Sequence, residues 1–247
     1  PAKIAGLHYE IDGNAKGFKI SISGYDQKQG VLLERIVQAM KSPDYDQDKF
    51  LIYKEELQRK LENAALDKPF RQLLGKRGRI MTSPSWSPRE RLAVLDSVTL
   101  DDVKAYADDF FRQVEVEALS YGNVTSAEAQ HLGRILEQQL LRDNPSVRVA
   151  DRNYRTLTPG APLEAEYYVD HPDSVVIHQY QGEDKSLLEH ATCRMLGQMM
   201  NNQFFSSLST EQQLGYEVYS CIVEDEQMPG FLILVQSSSV SSSEVSK

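Results

Sequence analysis

Between Gly17 and Ser23, Phe18, Ile20 and Ile22 alternate with Lys19, Ser21 and Ser23. A period of two predicts a half-buried strand, closed by Gly24. The period then lengthens: across residues 29–41, Leu32, Leu33, Ile36, Val37 and Met40 share one helical face, and Pro43 stops the helix. From about Asp46 to Leu66, Phe50, Leu51, Tyr53, Leu57, Leu61 and Ala65 predict a longer amphipathic helix, which Pro69 breaks or restarts. Residues 83–88, Ser-Pro-Ser-Trp-Ser-Pro, read as a loop. Helix starts are then marked by Ser87 with Pro88 and Glu90, by Thr125 with Glu128, and by the weaker acidic pair Thr99 and Asp102. A strand is expected from Val114 to Tyr121, closed by Gly122-Asn123, which makes helix, strand, turn and helix a compact α/β unit. Asn123-Val124-Thr125 matches a glycosylation sequon, but a turn residue followed by an N-cap accounts for all three.

Residues 142–163 change character. Arg142 to Pro145 is expected to end a helix, and Thr156 to Pro162 holds two prolines and a glycine without periodicity, which marks a boundary or linker. Beyond it the pattern predicts strands at Glu166–Val169 and Ser174–Gln181, a helix from about Asp184 to Asn201, and strands near Tyr216–Val223 and Phe231–Gln236. The tail from Ser237 to Lys247 is serine-rich. Two stretches resemble each other. Ala5-Gly6-Leu7-His8-Tyr9 followed by Gly17-Phe18-Lys19-Ile20 is echoed by Leu214-Gly215-Tyr216-Glu217-Val218 followed by Gly230-Phe231-Leu232-Ile233, at offsets of 209 and 213 residues. Each copy reads as a hairpin whose second strand opens with Gly-Phe. A period this long suggests tandem domains rather than a solenoid. Residues 163–213, which precede the second hairpin, have no counterpart before residue 5, so the chain is expected to be a piece spanning the junction of two modules.

Composition narrows the function classes. The 247 residues are 40% hydrophobic and carry a net charge of −9, ordinary for a globular protein with a sizeable core. Nucleic acid is disfavoured, because a phosphate binder needs a basic footprint. The one basic run, Lys76-Arg77-Gly78-Arg79, reads as a short solvated loop. The longest apolar run, Phe231 to Val235, falls far short of the roughly 20 residues that span a bilayer, so no membrane association is expected. Cys193 and Cys221 are too few for a disulfide framework or a structural zinc site. The closest of the five histidines, His171 and His178, are seven apart on strand-like segments, and His190 has no partner in its helix, so no metal site is expected. There is no nucleophile elbow, P-loop or dinucleotide fingerprint. Residue chemistry alone offers no self-contained active site, and on the residue pattern alone Tyr216 reads as a buried strand tyrosine after a glycine turn.

One segment carries more. Phe204-Phe205-Ser206-Ser207-Leu208-Ser209-Thr210-Glu211-Gln212-Gln213-Leu214-Gly215-Tyr216 resembles the Phe-Asn-x-Leu-Arg-Thr-x-Glu-Gln-Leu-Gly-Tyr signature of the pitrilysin and insulin-degrading enzyme family of zinc metallopeptidases, peptidase family M16. Ala5 to Tyr9, Gly24-Tyr25-Asp26-Gln27-Lys28-Gln29, Val98-Thr99-Leu100 and Glu117 to Thr125 are similar to further family segments in the same order. The resemblance implies an α+β fold made of parts of two tandem homologous modules, each an antiparallel sheet with helices packed on one face. Residues 1–150 would be the later part of the third of four modules, 151–163 a linker, and 164–247 the first part of the fourth.

The resemblance also implies a bacterial-type enzyme that encloses and cleaves peptides between two bowl-shaped halves. Its zinc ligands, an inverted His-x-x-Glu-His helix plus a distal Glu, belong to the first module, so this piece is expected to bind no zinc and to cleave nothing alone. It would contribute chamber wall and substrate contacts beside an N-terminal zinc-bearing half. The family sets an arginine and, seven residues later, a tyrosine against the substrate backbone, which makes Ser209 and Tyr216 the substrate-binding positions. Tyr216 matches the tyrosine, as a fixed donor to a carbonyl gaining negative charge. Ser209 departs from the arginine, and a short neutral hydroxyl does not replace a charged bidentate donor. That departure supports the alternative, an inactive peptidase-like scaffold or partner-binding subunit. Severed modules expose apolar faces that can drive dimerisation. The family is compatible with either periplasm or cytoplasm.

Overall fold

The structure, a computed structural model, describes residues 6–14, 16–25, 28–141, 152–206 and 215–245. In chain order the elements are β1 (Leu7–Asn14), β2 (Gly17–Gly24), α1 (Gln29–Lys41), α2 (Gln47–Asn63), α3 (Pro69–Met81), β3 (Thr82–Ser83), α4 (Pro88–Leu95) and α5 (Leu100–Arg112). There follow α6 (Ser126–Leu136) with a π turn (Glu137–Leu141), β4 (Asn153–Tyr154), β5 (Ser174–Gln181), α7 (Leu187–Phe205), β6 (Glu217–Asp225), β7 (Met228–Ser237) and α8 (Ser242–Val245). Contacts divide the chain into one unit of Pro1–Glu56 with Leu95–Asp151 and another of Leu57–Val94 with Arg152–Lys247.

In the first unit β1 and β2 form an antiparallel hairpin. The apolar face of α1 buries Leu33, Ile36 and Val37, and α1 packs on α6, α5 and β2. Lys54 donates to the carbonyls of Asp96 and Val98. Helices α5 and α6 both open with complete capping boxes: Thr99 accepts from the Asp102 amide and Thr125 from the Glu128 amide, and each carboxylate accepts in return from the N-cap amide. These hydrogen bonds hold the Asp102 and Glu128 carboxyls below their ordinary pKa. Their stabilisation is therefore present at neutral pH and lost as acid titrates them through those lowered values. Thr125→Ala is expected to cost about 1 kcal/mol, measured as a lower urea midpoint; an unchanged midpoint would show that the cap contributes nothing.

The second unit is built on a three-stranded antiparallel sheet in the order β5-β7-β6. Its central strand is an apolar run buried on both faces, as such strands must be. Phe231 and Val235 lie on one face with Ile222 and Val218 opposite them, and α7 packs there: a Cβ added to Gly197 would sit 2.4 Å from Ile222 Cδ1. Leu232 and Leu234, both fully buried, lie on the other face beside Tyr219. There Phe70 of α3 meets the Tyr219 ring edge-on at 6.4 Å.

The two hairpins have the same register. His8 faces Ser23 and Glu217 faces Gln236, the pairing that offsets of 209 and 213 require. The likeness continues into the next element, since α1 starts at Gln29 and α8, capped by Ser241 and Glu244, starts at Ser242, also 213 residues apart.

Three expectations are corrected. Residues 114–121 and 166–169 form no strand, because no neighbour pairs with them among the described residues; Leu119, Tyr121 and Tyr168 are each about nine-tenths exposed. The Lys76–Arg79 run lies in α3 rather than in a loop, and its charges are engaged: Arg77 grips Asp225 and donates to Gln179, while the Lys76 ammonium lies 4.3 Å from the Tyr167 ring centre. The serine-rich tail contains the turn of α8. Residues 152–155, inside the stretch expected to link two modules, make hydrogen bonds of their own. Asn153 and Tyr154 pair with β3, Arg152 donates to Thr82 and Pro84, and the Arg155 amide to Met81. The expected helix end at Arg142–Pro145 lies outside the described residues.

Candidate functional site

Tyr216 stands at the start of β6, and Gly215 is what lets it dock. A Cβ at position 215 would lie 2.3 Å from the Gln236 carbonyl oxygen. With glycine there, the Tyr216 amide donates to that same oxygen at 3.1 Å, which extends the β6–β7 ladder by one residue. The Tyr216 side chain is 60% exposed, so it is not the buried strand tyrosine that the residue pattern alone suggested.

Its hydroxyl joins a closed triangle. The phenol donates to Asp173 Oδ2 at 2.5 Å, Gln236 Nε2 donates to the same oxygen at 2.7 Å, and Gln236 Nε2 also donates to the phenol oxygen at 2.5 Å. The Gln236 amide cannot turn over, because its Oε1 accepts from the Phe70 amide at 3.2 Å, one of the free N–H groups in the first turn of α3. Gln236 is 1% exposed and the Asp173 side chain 7%, so an exposed ring rests on a buried polar base. Asp173 lies at the foot of β5, after a turn in which its own amide donates to His171 Nδ1 at 3.1 Å.

The charges follow from this geometry. Hydrogen bonds from Tyr216 and then Gln236 hold the Asp173 carboxyl below its ordinary pKa, with a smaller contribution from His171. The bond to Asp173 raises the Tyr216 phenol, helped by partial burial and by the Asp173 charge. At neutral pH the pair is a carboxylate and a protonated phenol. Because the Asp173 value is depressed on folding, its stabilisation is present above the ordinary aspartate range and lost as pH falls through the lowered value.

Of the two sequence-predicted site residues, Tyr216 is placed as described and Ser209 lies outside the described residues. Asp173 and Gln236 were not legible as site residues: they stand 43 and 20 positions from Tyr216, and only the sheet register brings them together. Among the described residues no three His, Cys, Asp or Glu side chains converge to hold a metal ion, and no helix is long and apolar enough to cross a membrane. A second polar cluster, Arg77, Asp225, Tyr154 and Gln179, ties α3, β6, β4 and β5 together. It is all donors and acceptors in mutual contact, a structural clasp.

The architecture is that of the pitrilysin-type peptidases: the crystal structure of pitrilysin superposes with a TM-score of 0.76 at 23% identity, over 97% of this chain and 25% of that one. The family description "Middle or third domain of peptidase_M16" matches residues 1–94, and "PQQ synthase PqqF-like, C-terminal lobe domain 4" matches residues 195–247. Human insulin-degrading enzyme is 28% identical over 242 residues, covering 96% of this chain and 24% of the enzyme. A Caenorhabditis elegans protein whose name describes a zinc protease is 25% identical over 224 residues, covering 88% of this chain and 26% of its own length. The chain is similar to members of peptidase family M16, the group of pitrilysin and insulin-degrading enzyme. It spans about a quarter of the length of the curated relatives it matches.

Proposed function

We propose that this chain is a non-catalytic portion of a zinc-dependent endopeptidase, one that forms part of the wall enclosing a peptide and touches the peptide through Tyr216. In this reading residues 1–150 are the later part of a third module, 151–163 the connection, and 164–247 the front of a fourth. The observation that carries it is the placement of Tyr216, which sits in the family's Gln-Leu-Gly-Tyr segment with its ring exposed and its hydroxyl fixed from beneath. In this reading no step at the metal is assigned to this chain. The metal and the bond-breaking chemistry belong to the N-terminal half.

Ser209 favours a second reading, an inactive peptidase-like subunit that binds a partner. Zinc content and cleavage of the insulin B chain, measured on the full-length protein and on this chain alone, separate the two. The first reading expects bound zinc and cleavage from the full-length protein, with neither from the chain alone. A full-length protein that neither holds zinc nor cuts the peptide would establish the second. Zinc-dependent cleavage by this chain alone would refute both.

A further inference from the structure

The basic run in α3 is only partly accounted for by the fold. Arg77 is held by Asp225 and the Lys76 ammonium lies against the Tyr167 ring, whereas the Arg79 guanidinium meets no acceptor among the described residues. Arg79 lines a cleft of about 470 Å³, within the range of roughly 300–1,000 Å³ usual for small-ligand sites. Arg155 lines the same cleft, its guanidinium likewise without an acceptor among the described residues. No aspartate or glutamate is on its wall, in a chain whose net charge is −9. We propose that this cleft binds a small ligand carrying two phosphate groups, gripped by Arg79 and Arg155. The site does not rest on the reading of Tyr216: Tyr154, on its wall, reaches Asp225, at the opposite end of β6 from that residue.

The backbone on both sides of the cleft is pinned. The Arg155 amide donates to the Met81 carbonyl at 2.8 Å, and the Arg155 carbonyl accepts from Gln181 Nε2 at 3.0 Å. The Arg79 carbonyl accepts from Ser85 Oγ at 3.2 Å, and Arg152 braces the loop through Thr82 and Pro84. Ser83 and Asn153 are opposite partners in the β3–β4 pairing, so their side chains share a face, and both line the cleft. The donor set decides the ligand. A guanidinium only donates, through a planar fork that fits two phosphate oxygens at once, and a hydroxyl and a carboxamide N–H beside it add further donors. Two forks on different elements suit two phosphate groups. The nearest carboxylates are engaged elsewhere: Glu90 accepts from the Ser87 amide and hydroxyl, and Asp225 from Arg77 and Tyr154. Burial and then the Arg79 charge hold the Lys76 ammonium below its ordinary pKa, so cations stand close together here.

The test is calorimetric titration of the full-length protein with inorganic phosphate, pyrophosphate and malonate, after treatment with a chelator and desalting so that no metal competes for phosphate. Pyrophosphate is expected to bind at least about tenfold tighter than phosphate, because it reaches both arginines, and tighter than malonate. Arg79→Ala and Arg155→Ala should each weaken pyrophosphate about tenfold or more, the loss of a charge-assisted contact, and added salt should weaken the wild type. Neither guanidinium bonds to the described residues, so both variants should keep the wild-type urea midpoint. If one does not, Arg79→Lys and Arg155→Lys, which keep the charge but lose the fork, should show a smaller loss in the same direction. Backbone hydrogen exchange in residues 79–85 and 152–155 should slow when pyrophosphate is added. Equal affinity for phosphate and pyrophosphate would overturn the two-arginine grip, and malonate binding as tightly as pyrophosphate would overturn phosphate as the ligand. Pyrophosphate binding that is absent, or unchanged in both alanine variants, would show that the cleft is no site.

Discussion

Replacing Leu234 by alanine is expected to lower the stability of the second unit by about 2–5 kcal/mol, the range for deleting a large aliphatic side chain from a closed core. Leu234 is fully buried on the central strand, opposite Tyr219 of β6 and Ile177 of β5, with α3 lying over the same face. Little around it can collapse into the gap, because the strands on both sides are held by continuous ladders. Leu232 is equally buried two residues away on the same face and should behave likewise. Trp86, the sole tryptophan, belongs to the second unit, so its fluorescence during urea unfolding reports the effect. A midpoint equivalent to less than about 0.5 kcal/mol of destabilisation would mean that this face is not the core.

Gly215→Ala is the second large effect, and it couples stability to function. The new methyl would meet backbone, the carbonyl oxygen of Gln236 at 2.3 Å and its carbon at 3.0 Å, so no side-chain rotation relieves it. Strand β6 must move away from β7 at this end, at a cost of about 1–3 kcal/mol from overpacking. The Tyr216 amide then loses its bond to Gln236, and the phenol leaves the Asp173–Gln236 base. The expected result is a lower urea midpoint together with a loss of peptide binding by the full-length protein at least as large as that of Tyr216→Phe. Wild-type stability and binding in this variant would contradict the account of Gly215 and Tyr216 at the start of β6.

Local signals in the sequence were read well where local physics decides. Pro43 and Pro69 bracket helices, the three Ser/Thr-x-x-acid pairs cap them, and alternation marks β2. The repeat of hairpins was legible because glycine and apolar positions recur at matching offsets, and the shared register gives it structural content. Residues 114–121 and 166–169 form no strand because a strand-like composition reports only that a segment could be half-buried. Whether it pairs depends on a neighbour far away in sequence, and none of the described residues supplies one. The same limit hid Asp173 and Gln236. A residue at the foot of β5 and one near the end of β7 acquire a common role only through a three-stranded register that ordinary propensities do not encode. The identity of Tyr216 was legible because its motif is local, whereas its hydrogen bonds depend on those two distant partners.

The most direct measurement of the central claim, that Tyr216 faces the peptide, is photo-crosslinking. An insulin B chain carrying a photoreactive group is bound to the zinc-stripped full-length protein, irradiated, and the crosslinked segments are identified by mass spectrometry. Adducts on residues 171–173 or 215–218 that disappear with excess unlabelled peptide are the predicted result. Saturable adducts confined to segments elsewhere in the protein, with none around Tyr216, would contradict it.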